Sequence, residues 1–430
     1  MDRRIFLKKA GLGVALGAGF DMPDYLNALE DEPIRMGFVG VGSRGYSMLS
    51  VALSTGIVRV TAVCDLIPER VERAQRLVEK AGQPRPEGFT MGPEDYKRLC
   101  AKSDLDAVYT ATPINLHAPI MLEAMKNGKY AGTEMPACVS VDEAWELVET
   151  SEKTGKPCML MENYCYMRDV QMVLNMVQQG VLGEITHCET GYQHDTRYVN
   201  FDAHGNLLWR ARHKMEHDGN LYPTHAIGPV SQWININRGN RFEYLVSMGS
   251  KAAGMKAYAA QHYGADHPST KEPYKTGDVN TTLIQTANGV TICLYYDTVN
   301  PRPVDFIWRI QGTKGIHHGN RIYLDGISPE HQWEDTQKYL ARYDHPNWKK
   351  YAETALKSGH GGSDFLCMLD FARAVQKKQN TPIDVYDAAT WSCITELTEI
   401  SVGNRSRGVD FPDFTKGKWK TRKPVPVTSI

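Results

Sequence analysis

The sequence carries no excess of charge of either sign. It has 49 lysines and arginines against 50 aspartates and glutamates, which gives a formal net charge of −1. The basic residues are scattered, and no basic stretch is interleaved with aromatic residues. A protein that binds a nucleic-acid backbone needs a concentrated positive surface. The composition therefore argues against a nucleic-acid partner, while 430 residues suffice for two or three domains.

Cysteine pairs with metal-binding or redox spacing are also missing. The nine cysteines are an odd number and form no C-x-x-C pair. Cys64, Cys293 and Cys367 lie within apolar runs, where cysteine behaves as a small hydrophobic residue. His213 and His217 have the spacing of metal ligands, but no third ligand accompanies them. We expect reduced cysteines, no disulfide framework and no bound metal.

The apolar stretch near the N-terminus, residues 10–20, is too short and too rich in glycine to be a stable membrane span. It follows Asp2-Arg3-Arg4-Ile5-Phe6-Leu7-Lys8-Lys9, which is similar to a twin-arginine export signal. Residues 1–33 are therefore interpreted as a signal and linker, and we expect export to the periplasm in folded form. A basic tail without consequence is the alternative interpretation.

A glycine-rich turn follows the first strand-like run of the chain. The run Ile34–Val39 leads into Gly40-Val41-Gly42-Ser43-Arg44-Gly45, and a second run, Val58–Cys64, ends in Asp65. Gly40 would make the tight turn, Gly42 would admit a pyrophosphate, and Gly45 would let helix and strand pack closely. Asp65 would bind a ribose hydroxyl and repel a 2′-phosphate, which favours NAD over NADP. An ordinary βαβ unit is the alternative.

The pattern of elements predicts an α/β protein with two domains. Residues 34–166 alternate strands with amphipathic helices, which indicates a Rossmann-type, doubly wound parallel sheet. Residues 167–400 are expected to form an α+β domain on a largely antiparallel open sheet, because Asn288-Gly289 joins two β-rich runs as in a hairpin. One helix is expected over 385–401. Residues 401–430 are expected to form a C-terminal tail on the surface.

Two further strings carry a family resemblance. Thr112-Pro113-Ile114-Asn115-Leu116-His117 and Thr133-Glu134-Met135-Pro136 resemble the cofactor loops of the Gfo/Idh/MocA oxidoreductase family. The family usually has lysine where this chain has Met135. In its dehydrogenases that lysine helps to polarise the hydroxyl that is oxidised and to move its proton. Methionine can do neither, so the resemblance points away from an ordinary dehydrogenase.

A narrower resemblance, to glycoside hydrolase family 109, covers residues 36–419. It rests on six long strings: Met161–Tyr166, Gly219–His225, Ile234–Gly239, Asp297–Pro303, Ile310–Gly315 and Val409–Phe414. The resemblance implies NAD-dependent hydrolysis of a small-molecule glycoside, with α-N-acetylgalactosaminides as the substrates first associated with the family. Its members also commonly carry a twin-arginine signal. The oligomeric state is left open, and a homo-oligomer is compatible with the sequence.

The resemblance also assigns site residues, position by position. The implied cofactor contacts, beside the glycines, are Ser43, Arg44, Asp65, Ile114, Asn115, Leu116, His117, Glu134, Met135 and Asn163. The implied sugar contacts are Tyr192, Arg210, Tyr222, Pro223, Thr224 and His225. A further substrate tyrosine of the family is replaced by Val304, which leaves the exact sugar open. The family's Trp-Glu-Trp-His loop is Ile114–His117 here.

NAD offers a route to glycoside cleavage that does not need two carboxylates. Oxidation at carbon 3 of the sugar acidifies the proton on carbon 2, the leaving group is eliminated, water adds, and reduction restores the sugar. This route needs a proton acceptor and a hydroxyl donor. We expect His225 and Tyr222 to share this work, because residues three apart on one helical turn face the same way.

Several alternatives stay open. His225 alone would more often be structural, His117 would serve the cofactor or cap a loop, and His194 beside Asp195 is a second candidate base. A net sugar oxidoreductase and a non-catalytic sugar-binding module are the competing functions.

Overall fold

The first sheet is the parallel sheet expected from the sequence. The computed structural model describes residues 32–430, so the expected export signal lies outside the described residues. Six strands pair in the order β3-β2-β1-β4-β5-β6, and every pair is parallel. These strands are β1 Ile34–Val39, β2 Val58–Cys64, β3 Glu87–Phe89, β4 Ala107–Thr110, β5 Tyr130–Thr133 and β6 Cys158–Leu160. The order reverses beside β1, where ligands bind in such sheets.

Helices connect these strands, and their ends follow from local chemistry. They are α1 Ser43–Ser54, α2 Pro68–Lys80, α3 Asp95–Cys100, α4 His117–Lys126 and α5 Val141–Thr154. At the start of α5 the Ser140 hydroxyl accepts a hydrogen bond from the Glu143 N–H, and the Glu143 carboxylate accepts one from the Val139 N–H. Gly155 ends α5 with a φ of 65°, which glycine adopts at little cost. Helix α4 begins at His117, two residues before Pro119.

The second sheet is mixed but mostly antiparallel. Its nine strands pair in the order β14-β13-β12-β11-β7-β10-β9-β8-β15, and only β7 and β10 run parallel among the described residues. The strands are β7 Ile185–Gln193, β8 Phe242–Gly249, β9 Val279–Thr286, β10 Thr291–Asp297, β11 Ile307–Gly312, β12 Gly315–His318, β13 Arg321–Leu324, β14 Glu334–Asp335 and β15 Val409–Asp410. Gly289, with a φ of 81°, lies in the expected turn between β9 and β10.

One helix of the second domain joins the second sheet to the turn that follows the first sheet. The helices here are α6 Arg168–Gln178, α7 Trp209–Glu216, α8 Thr224–Trp233, α9 Gly254–Tyr263, α10 Gln337–Tyr343, α11 Pro346–Ala355, α12 Ser363–Gln376, α13 Val385–Ser392 and α14 Ile394–Gly403. All ten residues of α8 are buried, and α8 contacts β7, β11 and the short 3-10 turn Asn163–Tyr166. Helix α12 returns to pack on α1. The functional side chains below lie along this junction.

Two expectations need correction. The single helix expected over 385–401 is two helices, α13 and α14, separated at Cys393. The expected surface tail joins the fold over part of its length, since β15 pairs with β8 and both Phe411 and Phe414 are buried. A tail that ran over the surface would leave both phenylalanine rings in water. Their burial in the fold removes this apolar surface from water, which is the physical reason for the difference.

The cysteines are unpaired and mostly buried side chains. All nine cysteines lie in the described part of the chain, where they are unpaired, and eight of them are buried. Burial raises the pKa of several thiols, including that of Cys100 to about 12.

Within residues 32–430, no helix combines the length and apolar character that crossing a membrane requires.

Candidate active site

The glycine turn has the geometry of a phosphate cradle. Gly40 has a φ of 79°, and a Cβ there would lie 2.9 Å from the backbone of Ala111. A Cβ on Gly45 would collide with the Gly40 carbonyl oxygen. Gly42 precedes α1, which starts at Ser43 without a side-chain cap. No side chain therefore occupies the first N–H groups of α1, which is the arrangement that binds a pyrophosphate.

Asp65 is fixed at the rim of this cradle. Its Oδ2 accepts a hydrogen bond from the Val41 N–H at 3.0 Å, and its Oδ1 accepts one from the Ile67 N–H at 3.1 Å. The Arg70 guanidinium lies 3.5 Å from Oδ1. The carboxylate thus stands at the end of β2 beside the glycine turn, as a ribose partner must.

The loop after β4 is held by a histidine. Ile114–Leu116 forms a short 3-10 turn, and His117 begins α4 with 1% of its surface exposed. The His117 Nδ1 lies 2.7 Å from the Pro136 carbonyl oxygen, and Nε2 lies 2.9 Å from that of Thr112. Burial lowers the pKa of His117. Because backbone oxygens occupy both ring nitrogens, His117 caps the loop, and its ring offers the cofactor no free polar atom.

Arg44 holds a buried cluster of charges together. Its Nε donates to Glu134 Oε1 at 2.8 Å, and its two terminal nitrogens donate to Asp364 at 2.8 and 2.9 Å. The Tyr109 hydroxyl also donates to Glu134, at 2.6 Å. Burial works to lower the pKa of Arg44, but the two carboxylates outweigh burial and raise it. The same guanidinium and the His360 ring hold the pKa of Asp364 well below its usual range, against burial. Arg44 therefore ties β5 and α12 to the glycine turn.

Asn163 and Met135 complete the cofactor side. The Asn163 amide donates to Asp364 Oδ1 at 2.9 Å, whereas its own Oδ1 is buried without a partner. Met135 is 3% exposed at the end of β5 and brings no charge. The uncapped helix, the cradle at Gly42 and the unpaired acceptor on Asn163 fit a nucleotide with phosphates and a polar head group.

His225 forms a buried pair with Glu162. The distance between His225 Nδ1 and Glu162 Oε1 is 2.6 Å, and Glu162 is 0% exposed. An ionised Glu162 places the ring proton on Nδ1, which leaves Nε2 with a lone pair. Glu162 Oε2 is buried without a partner. The pair orients His225 as a proton acceptor.

Aromatic rings surround His225. The ring centroids of Tyr164, Tyr222 and Tyr192 lie 4.1, 5.0 and 5.3 Å from that of His225. Phe306 stacks on Tyr192 at 5.3 Å and 15°. Burial raises the pKa of all three tyrosines, so their hydroxyls keep their protons at neutral pH. The site therefore offers hydroxyl donors within an apolar wall.

The sequence expectation for Tyr222 and His225 is right about their proximity but wrong about its cause. Helix α8 starts at Thr224, so Tyr222 precedes it, and Pro223 forms the junction. Pro223 and Thr224 are both buried, and the Thr224 hydroxyl has no partner. Arg210 lies exposed on α7 over the Trp209 ring, and its charge acts on Tyr192 and Tyr222.

The other candidate bases differ from His225. His194 is 6.2 Å from the Tyr192 ring, and its neighbour Asp195 is bound by Arg197. His217 pairs with Glu399, and no cluster with three metal-binding side chains occurs in residues 32–430. Sequence reasoning missed Glu162, Asp364, Tyr164, Phe306 and Trp308. Glu162 had a usable signal, because it directly precedes Asn163, one of the implied cofactor contacts.

The fold and the site define a two-domain NAD-binding enzyme that presents tyrosine and histidine beside its cofactor cradle. Residues 34–162 match the model of the oxidoreductase family with an NAD-binding Rossmann fold, and residues 166–421 match that of the glycosyl hydrolase 109 C-terminal domain. The chain belongs to glycosyl hydrolase family 109 and is an NAD-dependent glycoside hydrolase.

Relatives and solved structures agree with this assignment. A glycosyl hydrolase family 109 protein of Stenotrophomonas maltophilia (strain K279a) is 40% identical, with 99% of this chain and 98% of the relative covered. An alpha-N-acetylgalactosaminidase of Tannerella forsythia is 37% identical, with 98% of each chain covered. A levoglucosan dehydrogenase solved with NADH and levoglucosan shares the fold at a TM-score of 0.71 and 19% identity, over 89% of this chain and all of the other.

Proposed function

We propose that the protein hydrolyses α-N-acetylgalactosaminides, or a closely related glycoside, and that NAD is regenerated at every turnover. The observation that carries the proposal is the His225–Glu162 pair at 2.6 Å, set among three tyrosines beside the cofactor cradle. The relative from Tannerella forsythia, named an alpha-N-acetylgalactosaminidase, supports the choice of sugar. When bound, NAD supplies reversible hydride acceptance at carbon 3 of the sugar.

His225 is the base of this proposal. Its Nδ1 is engaged by Glu162, so Nε2 is the atom that receives the proton from carbon 2 of the sugar. The positive ring that results lies beside a buried carboxylate, which stabilises it. Glu162 acts only through His225 and is a positioning residue.

The tyrosines supply hydroxyl protons. The ring centroids of Tyr222 and Tyr192 lie 5.3 Å apart, and burial raises the pKa of both hydroxyls. A protonated phenol donates a hydrogen bond to an oxygen that gains negative charge, which is how an oxidised sugar would be stabilised. Arg210 is exposed, and its charge acts on Tyr192 and Tyr222, so it would bind a hydroxyl or acyl oxygen of the substrate.

Met135 argues against a net dehydrogenase. The residue is buried at the end of β5 and can neither donate nor accept a proton. The charged residue next to it, Glu134, is already engaged, because its carboxylate accepts hydrogen bonds from Arg44 and Tyr109.

The test is incubation of the purified holoenzyme with 4-nitrophenyl α-N-acetylgalactosaminide and no added nucleotide. We expect nitrophenol to be released over many turnovers without accumulation of NADH. Stoichiometric NADH without nitrophenol would instead establish the sugar oxidoreductase. A protein that purifies without NAD but still binds the sugar would instead be a non-catalytic sugar-binding module.

Export through the twin-arginine pathway is part of the proposal. It rests on Arg3 and Arg4 at the N-terminus. Replacement of both by lysine should keep the protein out of the periplasmic fraction, while a change of Lys8 and Lys9 to glutamine should not. Equal periplasmic amounts of all three forms would exclude this route.

A further inference from the structure

A polar cavity lies beside the second half of α12, outside the active site. Its volume is about 440 Å³, which is within the range of sites for small molecules. Helices α6, α8 and α12, the loop at residues 379–384 and the C-terminal residues 422–430 contribute to its lining. The cavity shares no lining side chain with the active site described above, and none of the functions assigned above uses it.

The C-terminal strap, as we call residues 422–430, is held to the fold by a few hydrogen bonds. The Val425 carbonyl accepts one from the Gln178 side chain at 2.6 Å, and the Ile430 N–H donates one to Asn347 at 2.9 Å. Most residues of the strap are exposed. A ligand that contacted both the strap and α12 would therefore add to these attachments.

Three cations of the lining make no ion pair within residues 32–430. Lys423 lies on the strap, Lys377 directly follows α12, and Arg373 donates to the neutral amide of Gln376 at 2.8 Å. The other two arginines of the lining are different, because aspartates neutralise them. An anion between the strap and α12 would accept charge-assisted hydrogen bonds from the three cations, and phosphate is the anion with the most acceptor oxygens for them.

The same cavity is lined by acceptors that lack donors. Gln171 and Thr381 are 5% and 4% exposed, and neither the Gln171 Oε1 nor the Thr381 hydroxyl has a hydrogen-bond partner. Asp370 accepts a hydrogen bond from the Tyr166 hydroxyl at 2.7 Å, and an ionised carboxylate has room for further donors. Because buried polar atoms are nearly always paired, these groups indicate a ligand with several hydroxyls.

The acceptors and the cations are separated along α12. Asp370 and Lys377 are seven residues apart, which is two helical turns and about 10 Å along the axis, so both face the same side. Lys377 acts on the Asp370 carboxylate at this longer range without an ion pair. A ligand that spans the two positions needs hydroxyls at one end and an anion at the other.

We propose that this cavity binds a sugar phosphate, with the phosphate held by Arg373, Lys377 and Lys423 and the hydroxyls held by Asp370 and Gln171. The bound molecule would fix the C-terminal strap on α12, the helix whose first turn carries Asp364 of the cofactor side. The proposal adds a second ligand site and does not depend on which glycoside the active site cleaves.

Calorimetric titration of the holoenzyme at constant ionic strength tests the site, with glucose 6-phosphate as the probe. We expect saturable binding of glucose 6-phosphate and weaker binding of inorganic phosphate. Lys377→Gln and Lys423→Gln should each weaken the binding of glucose 6-phosphate about tenfold, the value of a hydrogen bond to a charged group. The matched controls are Lys378→Gln and Lys420→Gln, at neighbouring exposed lysines outside the cavity, and should keep the affinity within about twofold.

A further variant tests the hydroxyl end of the site. Gln171→Leu should weaken glucose 6-phosphate but leave inorganic phosphate unchanged, because it removes an acceptor and no cation. Equal affinities for the two probes would overturn the sugar phosphate as the ligand. Absence of saturable binding, equal affinities in all the lysine variants, or displacement of glucose 6-phosphate by methyl α-N-acetylgalactosaminide would overturn the site itself. These results stand even if the holoenzyme hydrolyses no glycoside, so the two proposals fail separately.

Discussion

The cofactor side and the reaction side of the active site are built from different interactions. On the cofactor side, Arg44 is bound by two buried carboxylates, Glu134 and Asp364, so charges are paired throughout a network. On the reaction side, His225 has a single carboxylate partner, Glu162, and its other neighbours are aromatic rings. The first arrangement fixes geometry. The second keeps one proton acceptor in an apolar setting.

This difference teaches how one chain can hold a cofactor firmly and still move protons. A buried charge network is costly to break, so it suits a part of the site that should not change. A histidine whose Nδ1 is held by a carboxylate presents its Nε2 as the atom that can accept a proton. The predictions below separate these two roles.

The largest effect is expected for His225→Ala. Removal of a positioned general base should lower kcat about 10²- to 10⁴-fold, while bound NAD, measured in the heat-released nucleotide, should stay stoichiometric. His194→Ala is the control, because His194 was the competing base and contacts the same Tyr192 ring. If His194→Ala shows the larger loss, the reaction side has been assigned to the wrong histidine.

Arg44→Met should act on stability. The change leaves Glu134 and Asp364 buried without their cation, so the free energy of unfolding in urea should fall by about 3 kcal/mol or more. The control is Arg35→Met at the half-exposed Arg35–Asp106 pair, for which a loss of about 1 kcal/mol or less is expected. Similar losses in both variants would mean that the cofactor-side network has no special structural role.

Glu162→Gln should weaken catalysis without loosening the cofactor. It keeps the size of the side chain but removes the charge that orients His225, so kcat should fall about ten- to a hundredfold, the value of a hydrogen bond to a charged group. A change in KM alone, with kcat intact, would show that Glu162 binds substrate and does not position His225.

Acid should destabilise the second domain at a higher pH than the cofactor side. Burial lowers the pKa of His317 to about 4, so the folded state binds fewer protons than the unfolded state between about pH 6.5 and pH 4. Stability is therefore lost as the pH falls through this window, by up to about 3 kcal/mol for this residue. Because the pKa of Asp364 is lowered, the stability that its ionised carboxylate contributes is lost only at a pH below this window.

Urea unfolding at several pH values checks this sign. His317→Phe should flatten the dependence between pH 6.5 and pH 4, and Asp364→Asn should leave it unchanged in that window. Because Asp370, whose pKa burial raises to about 6, acts in the opposite direction, the comparison with wild type decides: equal pH dependence of wild type and His317→Phe would contradict the assignment of a neutral, buried His317.

The sequence predicts the cofactor side well because its signals are local. The bounds of β1 and β2, the glycine turn and Asp65 lie within about 30 residues, and each follows from strand pattern or turn chemistry. The charge network is different. Arg44 and Asp364 are 320 residues apart, and Glu162 and His225 are 63 apart, so only the folded chain brings them together. Phe306 and Trp308 are common aromatic residues whose pattern marks a buried strand face, which hides their place in the site.

Hydrolysis in deuterated water tests the central claim most directly. If His225 removes the proton from carbon 2, the leaving group departs, and addition of D2O to the resulting double bond places a deuteron on carbon 2 and a hydroxyl on carbon 1. The released sugar should therefore carry deuterium at carbon 2, as NMR can show. We predict deuterium at carbon 2 in every turnover and none at carbon 3, with no nucleotide added. Release of sugar that contains no deuterium at carbon 2 would contradict the account, because direct displacement at the anomeric carbon leaves that proton in place.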